Sequence, residues 1–436
     1  MTWQALPSTF HPSDLDPPAI YARKGYALPM ALIWGKGVRD DSICEARLRY
    51  GTEEYPTWTL GDVLVTGGAG ELGSRLVAIL AAREDVRSVT VASRNPGALG
   101  PMIASTLGNR TADDVRKSGK VSHLAIDLAD QGCEAALEAA ARNVRHVFHL
   151  AAAMDAFAPA GALEQVNVGA TKRIVDACLR TGARLTHAST LSVFVSSNGF
   201  GESSESTIGR DNDAVLYGGY AQTKARAEAI VALATLRGLN ARTVRLGLLV
   251  PEHGAGLADG HFVTTFIRAL AKTGYALDEA QEALVDLTPT DQAAAALAAI
   301  TASGMTGTFH YANPKSATLS DFVNATDAWL IRTGRPRIRH VPASQWIKEV
   351  DRLPSLAGML LRSAFQKGEF LKEARGIPIL NVDLFQSTGR RFAITRSIQA
   401  GAELPRDPGL QVERLVQKAL APNIKAQDEV GSGKPL

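Results

Sequence analysis

Downstream of Gly61 the chain alternates short, nearly continuous apolar runs with alanine-rich stretches of helical pattern. DVLVT (62–66), SVTVAS (88–93), VSHLAID (121–127), VRHVFHLAA (144–152), RLTHAST (184–190) and ARTVRLG (241–247) predict strands. Helices are expected from about Leu72 to Ala82, over NVGATKRIVDACLRT (167–181) and over 220–237. This alternation predicts an α/β fold, a doubly wound parallel sheet with helices on both faces. Unbroken apolar strands fit burial on both sides. After Pro251 the alternation weakens, with helical segments near 261–273 and 291–303, a further strand at GTFHYAN (307–313), and a mostly helical pattern over 319–375. Residues 1–60 are rich in proline and aromatics without period, and the tail 421–436 is polar with glycine and proline, so it reads as flexible. The expected domains are an N-terminal extension (1–60), the main α/β domain (61–260, with return segments about 285–313), a smaller mainly helical C-terminal substrate subdomain (314–420) and the tail (421–436).

Composition bounds the class without naming it. The chain has 436 residues, 45% hydrophobic and 21% charged, which describes an ordinary globular protein able to bury a core without staples. Cys44, Cys133 and Cys178 form no C-x-x-C pair, so neither a disulfide framework nor a zinc site is expected, and a reducing, cytoplasmic setting fits. The N-terminus lacks the basic start and apolar run of a secretory signal, and no apolar stretch is long enough to span a bilayer. A net charge of +3 is too mild to imply nucleic acid. The charge is uneven, however: residues 331–375 hold ten Lys or Arg against four Asp or Glu. That stretch reads first as a solvated helical face and second as a docking surface for an acidic partner.

TGGAGELG (66–73) follows the first strand and opens a helix, with Gly67, Gly70 and Gly73 in G-x-x-G-x-x-G spacing. Small residues let the backbone approach a pyrophosphate, and the helix N-terminus offers it free N–H groups and partial positive charge. The second strand ends in VASRNP, so Ser93 and Arg94 stand where an NAD-binding chain carries a carboxylate for the ribose diol. Arg94 can pair with a 2′-phosphate and stack on adenine, which favours NADP(H). Asp127, after the third strand, is a candidate for the adenine amino group and equally for a cap.

GGYAQTKARAE (218–228) sets Tyr220 and Lys224 one helical turn apart. A phenol protonates the oxyanion formed by hydride transfer to a carbonyl, but its reference pKa of about 10 is high. A neighbouring ammonium is expected to lower that value and to hold the nicotinamide ribose. A third group, a hydroxyl that orients the carbonyl, is available in HASTLSVF (187–194), at a strand's carboxyl end. Thr190 is the first choice and Ser189 the reserve. Asn167 could hold a relay water or cap its helix.

Together TGGAGELG, HLAAAMDAF, NVGAT, HASTLSV and YAQTK resemble an extended short-chain dehydrogenase/reductase of Rossmann type. GGYAQTKARAE, VRLGLLVP, VDLTPTDQAAAAL, GTFHYANP and TLSDFVNATDAWLIRTG are similar to its thioester reductase branch, which includes terminal reductase domains of non-ribosomal peptide synthetases, carboxylic acid reductases and aminoadipate reductases. RIRHVPASQWIKEV and LPSLAGML resemble that branch's helical C-terminal subdomain, so the likeness covers roughly residues 61–420. It implies NADPH-dependent reduction of a thioester on a phosphopantetheine carrier or coenzyme A, giving an aldehyde and a thiol; whether reduction stops there or continues to the alcohol is left open, since the same triad serves both steps. It implies Thr190, Tyr220 and Lys224 as catalytic residues. The implied cofactor-binding set is Gly67, Gly70, Glu71, Leu72, Gly73, Arg94, Asp127, Leu128, Ala151, Ala152 and Lys224, with Ala151–Phe157 as the nicotinamide-side loop. Asp155 departs from the usual neutral residue, and the loop is one residue short. No adenylation domain is read upstream, and Ser42 lies too close to Gly61 to belong to a carrier domain. The acyl donor is therefore expected from a separate carrier or from coenzyme A, with the basic stretch as a candidate receiving surface and the protein a monomer or homodimer.

Two other functions fit parts of the pattern. An extended reductase, dehydrogenase or epimerase acting on a free carbonyl or sugar nucleotide shares the triad but not the C-terminal motifs. A catalytically dead redox-sensing regulator would tend to lose Tyr220 and Lys224, and this chain keeps both.

Overall fold

The apolar runs read as strands do form one parallel sheet. In chain order they are β1 (Gly61–Thr66), β2 (Val86–Ser93), β3 (Val121–Ala125), β4 (His146–His149), β5 (Arg184–Thr190) and β6 (Ala241–Leu246), and strand Gly307–Tyr311 adds a seventh. The order across the sheet is Gly307–Tyr311, β6, β5, β4, β1, β2, β3, and every neighbouring pair runs parallel. From β1 the chain winds outward through β2 to β3, then returns to lay β4 on β1's other side. The reversal point is thus the gap between the carboxyl ends of β1 and β4, where ligands bind in such sheets. This computed structural model describes residues 59–154, 158–194, 205, 219–251, 262–278, 284–352, 392–406 and 408–420. The expectations for the N-terminal extension through residue 58, Ser42, Asp155, the basic stretch beyond 352 and the tail 421–436 lie outside the described residues.

β4 is buried throughout, and so are Val63, Leu64 and Val65 of β1, as a sheet covered on both faces requires. On one side Leu64, Val147, Leu185 and Ala241 pack with Ile174 and Val175 of helix Ala170–Thr181 and Val231 of helix Gly219–Thr235. Helix Ala170–Thr181 stops where Gly182 turns left-handed (φ 77°) and its N–H reaches Cys178 O at 2.9 Å. Helices Leu99–Leu107, Asn109–Lys117 and Glu134–Arg142 complete the crossovers on the β2–β3–β4 side. The expected helix over 167–181 begins instead with a π turn, Gln165–Gly169.

The chain divides into two compact units. The first holds residues up to Gly247, Asp291–Tyr311 and a final return ending at Leu404; the second holds Leu248–Thr290, the chain from Ala312 and the chain from Pro405. The division therefore comes before residue 260, and segment 392–404 belongs with the sheet, where helix Thr395–Gln399 packs on strand Gly307–Tyr311.

The second unit is mainly helical. Helices Phe262–Thr273, Leu319–Arg332, Ala343–Asp351 and Pro408–Leu420 enclose a core of Phe266, Ile267, Leu270, Phe322, Val323, Trp346, Val412 and Leu415. Thr318 opens the second of these with a capping box completed by Asp321. Three two-stranded pairs, invisible to any period, stitch the loops: Leu249–Val250 with Thr288–Pro289, Leu284–Val285 with Ala317–Thr318, and Tyr275–Leu277 with Arg339–Val341. Part of the basic stretch is spoken for within this unit. Arg337 pairs with Asp327 at 3.1 Å, Arg335 lies over the Trp329 ring, and Arg339 lies over the Tyr275 ring. Among the described residues no helix is long and apolar enough to cross a membrane, and no group of three or more His, Cys, Asp or Glu could hold a metal. Cys133 and Cys178 are free and buried.

Candidate active site

The glycine loop is built by steric necessity. Gly67 has φ 71°, and a Cβ there would meet Ala151 N at 2.7 Å and Leu150 C at 2.9 Å. Gly73 sits in the first turn of helix Glu71–Ala82, where a Cβ would come within 2.1 Å of Gly67 O. Gly70 N donates to Gly67 O at 3.0 Å, and Gly70 caps the helix with no side chain over its first N–H groups. Backbone donors at a helix start, bounded by residues that cannot carry a side chain, suit a pyrophosphate. Glu71 and Leu72 are partly exposed in that first turn. Arg75 of the same helix is buried, bonds to Glu71 O at 2.9 Å and pairs with Asp291.

Around the loop, the other expected cofactor residues divide by setting. Arg94 is exposed just past β2, and no hydrogen bond or ion pair engages it among the described residues, while Ser93 precedes it and no carboxylate follows the strand directly. Asp127 is exposed and accepts from Ala129 N at 2.9 Å, closing a local turn, and Leu128 is buried. Ala151 and Ala152 are partly exposed, and Ala151 N reaches Thr66 Oγ1 at 3.3 Å. Asn167 is not an N-cap, and both ends of its amide are engaged by the protein. Its Oδ1 accepts from Ala153 N at 2.7 Å, while its Nδ2 donates to Ala153 O at 3.1 Å and Thr223 Oγ1 at 3.0 Å. It ties the loop after β4 to the tyrosine-bearing helix.

That helix, Gly219–Thr235, packs on β5 and on the turn Leu191–Phe194 that follows it. Its start lies close against the segment before helix Ala160–Glu164: a Cβ on Gly219 would meet Ala158 O at 2.3 Å. Tyr220, Lys224 and Glu228 share one face at successive turns. Lys224 is buried and its Nζ donates to Ala188 O at 2.7 Å, with His187 Nε2 at 3.3 Å. Glu228 is buried in an ion pair with Arg245 at 2.7 Å and accepts from the Ser189 hydroxyl. Ser189 is thereby consumed in the core. Thr190 stays partly exposed, its Oγ1 accepting from Ser192 N and donating to Ser192 Oγ, each at 3.1 Å. Between the two strand-end hydroxyls, Thr190 is the one left at the strand's open end.

The electrostatics depart from the sequence expectation at one point. Burial pushes the Tyr220 phenol up to about 12, and no contribution from Lys224 offsets it. Burial also brings Lys224 down to about 8, with Glu228 opposing. The expected lowering of the phenol is therefore corrected: loss of solvent outweighs a lysine whose ammonium is directed to the β5 backbone. The sequence reading also missed two histidines. His187 on β5 and His149 on β4 lie in register, with ring centroids 5.4 Å apart. His149 bonds to Thr66 Oγ1 at 2.8 Å and Thr171 Oγ1 at 3.0 Å. Burial holds His149 down at about 3 and His187 well below the usual imidazole range, so both are neutral. Their position inside buried strands, where a polar ring stands out, was the one available signal.

Known proteins of similar sequence and shape agree with this architecture. The chain is 26% identical over 324 residues to a linear gramicidin synthase of Brevibacillus parabrevis, covering 71% of this chain and 6% of that protein. It is 29% identical over 299 residues to the isonitrile lipopeptide synthase of Streptomyces coeruleorubidus, covering 66% of this chain and 20% of that one. The chain thus spans a small part of the length of these relatives. The crystal structure of the terminal R domain from the myxalamid PKS-NRPS biosynthetic pathway superposes with a TM-score of 0.64 at 21% identity, over 84% of this chain and 92% of that one, and shares the fold. The family model described as "Male sterility protein", an NAD-binding domain, matches residues 65–297, and the chain belongs to this family of NAD-binding oxidoreductases.

Proposed function

We propose that the protein is an NADPH-dependent reductase of acyl thioesters carried on a phosphopantetheine arm or on coenzyme A, releasing an aldehyde and a free thiol. The observation that carries this reading is one unit holding both a glycine loop at a helix start and the Tyr220–Lys224 face, with Thr190 partly exposed at the end of the strand that Lys224 bonds. Its likeness to parts of two peptide synthases and to a terminal R domain supports the thioester as substrate class.

The residues present fit the dinucleotide. Gly67 and Gly73 let the loop pack backbone to backbone against the end of β4 and the helix start, the helix start at Gly70 offers N–H groups to the pyrophosphate, and Arg94 offers a guanidinium to a 2′-phosphate. NADPH, when bound, supplies the hydride for the thioester carbonyl carbon. Thr190 donates to the carbonyl oxygen and orients it, and Tyr220 gives its proton to the same oxygen as negative charge develops. The tetrahedral thiohemiacetal then loses its C–S bond: the hydroxyl gives up its proton as the carbon becomes an aldehyde, and the leaving thiolate takes up one proton to become the free thiol. A phenol at about 12 stays protonated across the neutral range, which suits an acid in the reductive direction better than a base in the oxidative one.

The test follows NADPH oxidation against acyl-coenzyme A and acyl-carrier thioesters, free ketones and sugar nucleotides, with aldehyde and alcohol assayed separately. Turnover confined to thioesters, with aldehyde formed, is the expected result. Turnover only with a free carbonyl or sugar nucleotide overturns it.

A further inference from the structure

Lys224 donates two hydrogen bonds along one strand. The first goes to the Ala188 carbonyl at 2.7 Å, an arrangement that needs no particular side chain. The second goes to the imidazole of His187 at 3.3 Å, and that imidazole makes no other hydrogen bond among the described residues. His187 is fully buried, and its Nδ1 has no hydrogen-bond partner among the described residues. Burying a polar ring nitrogen without a partner costs free energy, so an apolar ring would serve the core better at this position. The polarity of the ring is accounted for by Lys224 alone. An ammonium has donors and no acceptor, so Nε2 must carry the lone pair and Nδ1 the proton. Strand alternation puts His187 and Ser189 on the face toward helix Gly219–Thr235, while Thr186 bonds to Thr301 on the other face.

We propose that His187 is a positioning residue for Lys224: as the neutral Nδ1–H tautomer it accepts from the ammonium and, with the Ala188 carbonyl, fixes two of its three N–H directions. The third is left for the dinucleotide ribose and the phenol. This rests on the assignment of Lys224 as the cofactor lysine in the proposed function. The groups facing the ammonium are Tyr220 and Glu228 from its own helix, His187 from β5 and His149 from β4, with Arg245 of β6 neutralising Glu228. Of these, only His187 and the Ala188 carbonyl accept from it directly. An acceptor favours the charged lysine, so its removal shifts the ammonium toward deprotonation at lower pH.

The experiment compares His187→Phe, which keeps a ring without an acceptor, with His187→Gln, which restores one. For His187→Phe the expected result is NADPH affinity weaker by roughly tenfold, the size of one charge-assisted hydrogen bond. The alkaline limb of kcat/KM for NADPH should also move down by about one pH unit. His187→Gln should stay within about twofold of the native enzyme in both. Native-like values for His187→Phe overturn the proposal, and so do equal losses in both variants with an unmoved limb, which would mark a purely structural ring. Nitrogen NMR of the full native chain gives a second arm that needs no activity. The Nδ1–H tautomer should persist from pH 5 to pH 8, and the Nε2 signal should shift in Lys224→Met. A His187 that protonates near its ordinary pKa of about 6.5 overturns the proposal even if His187→Phe does not fold. If Lys224→Met keeps full NADPH affinity and turnover while the Nε2 signal still moves, the lysine's assigned role fails and the pairing stands.

Discussion

Replacing Gly73 by alanine tests the phosphate cradle with a single methyl group. The added Cβ would lie 2.1 Å from Gly67 O, 2.6 Å from Gly68 Cα and 2.8 Å from Gly67 C, and all three are backbone atoms that no rotamer change can move. Relief to an ordinary contact of 3.4 Å requires the helix start and the loop to separate by about 1.3 Å. Overpacking of this kind costs roughly 1–3 kcal/mol, and a rigid backbone neighbour puts the expected loss at the upper end, about 2–3 kcal/mol. For a unit of this size that lowers Tm by roughly 5–10 °C. A displacement of about 1 Å in a group-positioning element costs on the order of 100-fold in the function it serves, so NADPH affinity should fall by about that factor. The measurements are a urea or thermal unfolding curve and a fluorescence titration with NADPH well below the transition. Gly100→Ala is the control, because a Cβ there meets nothing within 4 Å, and it should leave both readings intact. Native affinity in Gly73→Ala would refute the assignment of this loop to the pyrophosphate, and native stability would refute the steric argument itself.

Three further outcomes are expected. Tyr220→Phe should lower turnover by roughly 100- to 10,000-fold while leaving NADPH affinity within a few fold, as loss of a general acid does; near-normal turnover removes the proton donor. Arg94→Ala should raise KM for NADPH by about tenfold or more and leave NADH unaffected, measured by parallel initial-rate series. Lys224 titrates at about 8 in the folded chain against 10.5 in its ordinary state. With the charged lysine in its proposed role, kcat/KM for NADPH should fall as pH rises through about 8. The folded protein binds fewer protons than the unfolded one between those values, so this group's effect on stability has the opposite sign and improves from pH 8 to 10.5. Activity and urea midpoint measured across that window should move in opposite directions.

The central sheet was legible because its strands are short, mostly apolar runs separated by helical stretches, and RLTHAST matches β5 residue for residue. The helices Leu99–Leu107 and Asn109–Lys117 were not, since each is short and Gly108 between them, at φ 91°, breaks the period. The two-residue strands of the second unit are too short to carry any alternation. Among site residues, the glycines could be read because steric exclusion depends on residue type alone. The protonation behaviour of Tyr220 could not, because it follows from how segments distant in sequence crowd water away from the phenol. Asn167 looked like a cap by its place before a helical run, but a π turn carries it into the helix and turns its amide onto Ala153. Ser189 and Thr190 were nearly equal in the sequence; only a glutamate two turns along the neighbouring helix from the tyrosine separates them.

The path of the chain through its two units has a consequence for how the protein can be made and cut. The polypeptide leaves the sheet-bearing unit after Gly247, re-enters at Asp291, leaves again after Tyr311 and comes back once more before Leu404. During synthesis, β6 therefore emerges with one edge bare, and the strand that covers it, Gly307–Tyr311, arrives some sixty residues later, after a whole section of the other unit has been made. A fragment ending near residue 250 would keep every residue for which a catalytic or cofactor-binding role is proposed above yet present an open, aggregation-prone sheet margin. Expression of the nucleotide-binding half alone calls for a graft of residues 291–311 and 392–404 rather than a simple truncation.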